Sequence, residues 1–172
     1  RDRILRAPAP ERAAMKICAV VPSYNHVSAI GGTIARLRDA GLWVFVVDDG
    51  SAPDAARLLR SLESPGVVVS RLEVNQGKGG AVVEGFRLAR EGGFTHAVQV
   101  DADGQHDLDA IPSLLAAARE NPDALIAGRP VFDRSMPLGR RIGRRITHVW
   151  VWIETLSTRI GDSMCGFRVY PL

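Results

Sequence analysis

Two carboxylates two residues apart, Asp101 and Asp103, follow the apolar run Phe94–Val100 and lead into Gly104, Gln105 and His106. Carboxylates so spaced in a turn can face one hard cation and leave coordination sites for water and a diphosphate. A divalent metal there, Mg²⁺ or Mn²⁺, would neutralise the diphosphate and ease its departure as a leaving group. A solvated turn with an aspartate as helix cap would look similar, but Asp107 already offers that cap. His106 reads equally as a further ligand or as a pocket wall.

Three other polar clusters follow apolar runs in the same way: Pro22-Ser23-Tyr24-Asn25, Asp48-Asp49-Gly50-Ser51, and Asn75-Gln76-Gly77-Lys78-Gly79-Gly80. One of Asp48 and Asp49 suits a ribose or base edge, because a carboxylate accepts from hydroxyl or imino donors. A tight turn with Ser51 capping the next helix is the competing reading. The glycine-rich segment with Lys78 suits an anion at a helix N-terminus. It lacks the last glycine of a dinucleotide fingerprint and the Ser or Thr that follows the lysine of a phosphate loop. An NAD enzyme and an ATPase are therefore disfavoured.

The elements that must hold these clusters alternate along the chain. Strands are expected at Lys16–Val21, stopping at Pro22, and at Leu42–Val47, Val67–Val74, Phe94–Val100 and Ala124–Ala127. Between them, Ile30, Ile34, Leu37 and Ala40 recur at helical spacing. A second helix runs through Leu58, Leu59 and Leu62, with Pro53 in its first turn. A third spans Gly77–Arg90 with Val82, Val83, Phe86 and Ala89 on one side, and a fourth carries Leu108, Ile111, Leu114, Leu115 and Ala118. Apolar strands alternating with helices indicate a mostly parallel sheet buried on both faces. Ligands of such sheets bind beyond the carboxyl ends of the strands, and all four clusters fall there.

Composition sets the outer bounds. The chain has 172 residues, 46% hydrophobic and 24% charged, which fits one globular domain able to bury a core without disulfides. A net charge of +3 does not argue for nucleic acid. The two cysteines, Cys18 and Cys165, make neither a zinc framework nor a secreted disulfide scaffold, so a reducing, cytoplasmic setting is expected. No apolar run approaches the ~20 residues that span a bilayer. Residues 1–14 are expected to be a leader or remnant outside the fold, and 15–172 the catalytic domain, its stop soon after Arg168 fitting a longer parent chain.

Together and in this order, Val21-Pro22-Ser23-Tyr24-Asn25, Asp48-Asp49-Gly50-Ser51, Asn75-Gln76-Gly77-Lys78-Gly79 and Asp101-Ala102-Asp103-Gly104-Gln105-His106 resemble the inverting glycosyltransferases of family two, with the GT-A fold. Ala127-Gly128-Arg129 and Asp162-Ser163-Met164-Cys165-Gly166-Phe167-Arg168 are similar to segments of dolichol- and polyprenol-phosphate sugar synthases, with Cys165 where Ser or Thr is usual. The resemblance implies an α/β Rossmann-like sheet in three layers. It implies Pro22, Tyr24 and Asp49 around the nucleoside, Asp49 ahead of Asp48, and Lys78 near the nucleotide. Asp101 and Asp103 would bind metal and diphosphate, with Gln105 near the metal. Arg129 and Arg168 would hold an acceptor phosphate.

Those roles describe displacement at an anomeric carbon, with a UDP- or GDP-linked sugar as donor and a lipid phosphate or a hydroxyl as acceptor. Asp103, Asp162 and Arg168 are the candidate catalytic residues. Asp162 is the candidate base for a hydroxyl acceptor, whereas a lipid phosphate is already anionic and needs none. Arg140, Arg141, Arg144 and Arg145, with Ile142, Ile146, Val149, Trp150, Trp152 and Ile153, read as a basic amphipathic helix. Such a helix fits peripheral contact with an anionic inner membrane face or a solvated basic face over a packed helix. Two alternatives stand beside the transferase: a sugar-nucleotide nucleotidyltransferase, which would release pyrophosphate, and a non-catalytic nucleotide-binding domain of the same fold.

Overall fold

A computed structural model describes residues 14–128 and 166–172. The elements are β1 (Ile17–Ser23), α1 (Ile30–Asp39), β2 (Trp43–Asp48), α2 (Pro53–Arg60), β3 (Val67–Arg71), α3 (Gly77–Glu91), β4 (His96–Gln99), a 3₁₀ turn (Leu108–Ala110), α4 (Ile111–Glu120), β5 (Ile126–Ala127) and β6 (Arg168–Pro171). They form one six-stranded sheet in the order β3-β2-β1-β4-β6-β5. β3, β2, β1 and β4 are mutually parallel, whereas β6 runs antiparallel to both β4 and β5. The expected mostly parallel α/β sheet is therefore present, with one antiparallel strand that the sequence reading missed.

The three layers follow from side chains alternating across each strand. Ala19 and Val21 of β1, Val44 and Val46 of β2, and Val98 of β4 face a core completed by Ile30, Ile34 and Leu37 of α1, Leu59 of α2, and Leu114 and Leu115 of α4. Cys18, Val20, Phe45 and Ala97 face the other way and pack with Ala89 and Phe86 of α3. The sheet thus lies between α1, α2 and α4 on one face and α3 on the other. Cys18 is the buried free thiol expected, and burial pushes it up to about 12.

Some boundaries moved for physical reasons. β1 continues through Pro22 to Ser23. The Val20 carbonyl accepts from Val100 on the β4 side, and the Ser23 carbonyl accepts from Asp49 on the β2 side. By alternation the Pro22 nitrogen faces β4, and without an N–H it cannot carry that ladder past the Val100 bond, so β4 ends opposite Val20 while β1 runs on beside β2. β3 stops at Arg71, because beyond the Leu72 N–H to Asp48 carbonyl bond the chain leaves the sheet edge. On α3 the inward residues are Ala81, Val82, Gly85 and Ala89. Val83 is 67% exposed, contrary to expectation, because the i, i+4 row through Ala81, Gly85 and Ala89 makes the closest approach to β1.

Candidate active site

The connections from β1 run to β2 on one side, while β3 crosses over α3 to reach β4 on the other. Between the carboxyl ends of β1 and β4 this leaves a crevice. A cleft of about 480 Å³ opens there, with Pro22, Tyr24, Asp49, Lys78, Asp101 and Asp103 on its walls. These are six of the positions singled out in the sequence, brought together from four separate strand ends. Ser23, His26, Asn75 and Ala81 also line it and were not anticipated individually. For the first three the signal was their place within or beside the polar clusters.

The loops are stitched to one another before any ligand arrives. Asn25 adopts a left-handed backbone (φ 53°), which an asparagine tolerates better than most residues. Its N–H donates to Ser51 Oγ at 2.9 Å, and its Oδ1 accepts from the Ala52 N–H at 2.7 Å. Ser51 therefore ties two turns together and does not cap α2, which starts from Ala52 with Pro53 in the first turn. Gly50 has φ 73°, and a Cβ there would fall 2.8 Å from the Asn75 nitrogen. Only glycine lets the β2 turn and the loop before α3 approach so closely. Tyr24 stands at the cleft rim, 52% exposed.

The adjacent aspartates separate cleanly. Both are 1% exposed. Asp48 accepts at Oδ1 from the Ser51 N–H (2.9 Å) and pairs at Oδ2 with Arg71, whose second amino group donates to the Ser51 carbonyl. It is not on the cleft wall, and its carboxylate is occupied in holding the turn. Asp49 Oδ1 accepts from the Gln76 N–H at 2.7 Å, and Asp49 lines the cleft.

Asp101 has the densest surroundings. Lys78 Nζ is 2.7 Å from Oδ1 and 2.8 Å from Oδ2, directed as a hydrogen bond at Oδ2. His106 Nε2 stands 3.4 Å from Oδ2, too far for a formed bond. Asp101 Oδ1 and His106 Nε2 are both buried without a hydrogen-bond partner. Burial pushes the Asp101 carboxyl up, but the neighbouring His106 and Lys78 more than reverse this and hold it below the usual carboxylate range. The His106 ring stacks on Phe167 with centroids 5.3 Å apart.

Asp103 is half-buried and accepts from the Gln105 N–H at 3.0 Å. Gln105 itself is exposed and off the cleft wall, and Asp107 caps the following turn through the Asp109 N–H, as expected. Arg168 opens β6 in register with Gln99 and Ala127. It therefore lies at the same sheet edge as the cleft without being among the residues that line it. Arg129, Asp162, Cys165, the Arg140–Trp152 segment and residues 1–13 lie outside the described residues.

Residues 18–169 match the profile of the family described as glycosyl transferase family 2. The chain belongs to that family. Among curated relatives of this family-2 chain, an undecaprenyl-phosphate mannosyltransferase of Micrococcus luteus is 34% identical over 168 residues, covering 91% of this chain and 66% of the relative. A UDP-N-acetylglucosamine–dolichyl-phosphate N-acetylglucosaminyltransferase of Methanococcus voltae is 27% identical over 173 residues, covering 90% and 68%. The family-2 chain thus spans about two thirds of these relatives' length. Among solved structures, the glucosyl-3-phosphoglycerate synthase of Mycobacterium tuberculosis, in complex with Mn²⁺, UDP and glucosyl-3-phosphoglycerate, superposes with a TM-score of 0.68 at 17% identity, covering 92% of this chain and 57% of the synthase. That likeness establishes the shared GT-A fold.

Proposed function

We propose that this chain is the donor-binding catalytic part of a glycosyltransferase that moves a sugar from a UDP- or GDP-linked donor to a polyprenyl- or dolichyl-type phosphate with inversion. The observation that carries the proposal is the convergence of Tyr24, Asp49, Lys78, Asp101 and Asp103 on one cleft at the switch point of the sheet. The names of the relatives support a lipid phosphate as acceptor, and family membership weighs against a nucleotidyltransferase. A lipid acceptor also favours peripheral contact with the cytoplasmic face of a membrane. No helix among the described residues is long and apolar enough to cross one.

The residues fit a divalent cation. Among the described residues no three acidic, histidine or cysteine side chains form a ready-made cage. Mg²⁺, however, is commonly held by one or two carboxylates together with substrate phosphates. Asp101 Oδ1 is a buried carboxylate oxygen whose near neighbour is the Lys78 ammonium, 2.7 Å away, a cation already held where a metal would sit, and Asp103 lies two residues on along the same wall. Asp101 and Asp103 would hold Mg²⁺ or Mn²⁺, which would offset charge developing on the leaving diphosphate.

The chain's own groups divide the remaining work. Tyr24 presents an aromatic face to the base, and Asp49 keeps one carboxylate oxygen, Oδ2, for a nucleoside donor. Lys78, in the first turn of α3, joins its ammonium to the favourable field of that helix end to bind the diphosphate. Arg168 holds the acceptor phosphate at the β6 edge, and Arg129 shares that role. A phosphate oxygen attacks while ionised, so no base is required; Asp162 would serve a hydroxyl acceptor.

Asp103→Asn tests the assignment. Metal-dependent turnover of the nucleotide sugar should fall on the order of 100-fold or more, with nucleoside diphosphate as the product of the parent. Undiminished turnover in the mutant would reject the site, and pyrophosphate in place of nucleoside diphosphate would reject the reaction.

A further inference from the structure

Gly166 precedes β6 and is half-buried. Space demands glycine at this point. A Cβ on Gly166 would stand 2.7 Å from Asp101 Oδ2, 2.8 Å from Oδ1 and 3.0 Å from Cγ. The bare backbone of Gly166 therefore forms one side of the box around the Asp101 carboxylate, with Lys78 and His106 as its other neighbours.

Gly166 has little freedom to retreat. The next residue, Phe167, is 5% exposed, stacks on His106 and accepts at its carbonyl from the Gly128 N–H at 2.8 Å. Arg168 and Val169 are then paired with β4 on one side and β5 on the other. An added methyl group would have to be relieved by the carboxylate, whose rotation would carry its oxygens off their present line to the Lys78 ammonium.

We infer that Gly166 is a positioning residue: the absence of a side chain there sets the orientation in which Asp101 meets a divalent cation. The inference rests on the proposed role of Asp101. It links the strand entering the sheet last to a carboxylate 65 positions earlier in the chain.

The test is titration of Mn²⁺ into parent and Gly166→Ala protein, followed by electron paramagnetic resonance in the presence of saturating UDP and, separately, GDP, with melting temperature measured in parallel. Gly166→Ala should weaken Mn²⁺ binding in the nucleotide complex by about tenfold or more, as loss of a supporting neighbour does at metal sites, while melting within about 5 °C of the parent. Equal Mn²⁺ affinity in the two proteins would overturn the inference. Loss of binding together with a larger fall in melting temperature would also overturn it, since that is the mark of a purely structural glycine. A parent protein that takes up no Mn²⁺ with either nucleotide would instead defeat the reading of Asp101 as a metal ligand, a result distinct from both. Gly166→Ser, with a slightly larger group, should weaken Mn²⁺ binding at least as much as alanine, and a serine variant that binds like the parent would count against the steric mechanism.

Discussion

Changing Asp48 and changing Asp49 should have separable consequences, because one carboxylate is bound up in the turn and the other is offered to the cleft. Asp48→Asn keeps an acceptor for the Ser51 N–H but removes the charge opposite Arg71, and should cost on the order of 2 kcal/mol of stability. Nucleotide affinity should hardly change. Asp49→Asn keeps the acceptor for the Gln76 N–H, so melting should be nearly unaffected, while nucleotide affinity falls about tenfold through loss of a charge-assisted hydrogen bond. Calorimetric titration with UDP and GDP beside a thermal melt reads both effects, and the reverse assignment of losses would refute this division of labour. The sequence could show that a carboxylate was wanted at this strand end, since polar residues directly follow a buried run. It could not choose between neighbours, because the choice depends on Arg71, 23 positions away from Asp48, reaching one of them.

At the scale of elements, two of the four glycines of α3 have opposite demands. A Cβ on Gly85 would fall 2.3 Å from Val20 Cγ1, whereas one on Gly79 would meet nothing within 4 Å. Gly85→Ala should destabilise by roughly 1–3 kcal/mol through overpacking against β1. Gly79→Ala should be neutral or stabilising by about 0.5–1 kcal/mol, because alanine loses less entropy in a helix. Chemical denaturation of the two variants decides the matter, and equal responses would argue against this packing of α3. The strands and helices up to β5 were legible because each is built from a local apolar pattern. β6 was not. Its four residues bring only Val169 to a fully buried position, and its place depends on pairing with β4 about 70 positions earlier. The Phe167-Arg168-Val169-Tyr170 run, bounded by Gly166 and Pro171, was the available clue.

For the whole molecule, the cleft gathers groups from four strand ends, so its ligands should stabilise the fold as a unit. Mn²⁺ and the cognate nucleotide, together at 100 times their dissociation constant, should add about 2.7 kcal/mol. In a chain of this size that corresponds to a rise of about 5–10 °C in melting temperature, and neither component alone should match it. A shift from metal alone equal to that of the pair would contradict a cation shared between Asp101, Asp103 and a diphosphate. The sheet also counts residues. β4 ends at Gln99 opposite Val20 while β1 runs on to Ser23, and Asp101 comes two residues after that end. One residue inserted in β4 would turn every later side chain to the other sheet face, taking the carboxylate from the side of α3 and Lys78 to the side of α1 and α4. Two would restore the face but carry it about 6–7 Å past its partner. Length variation can be absorbed at the far ends of the connecting loops; within this short strand the spacing to the aspartate is an integer that admits no drift.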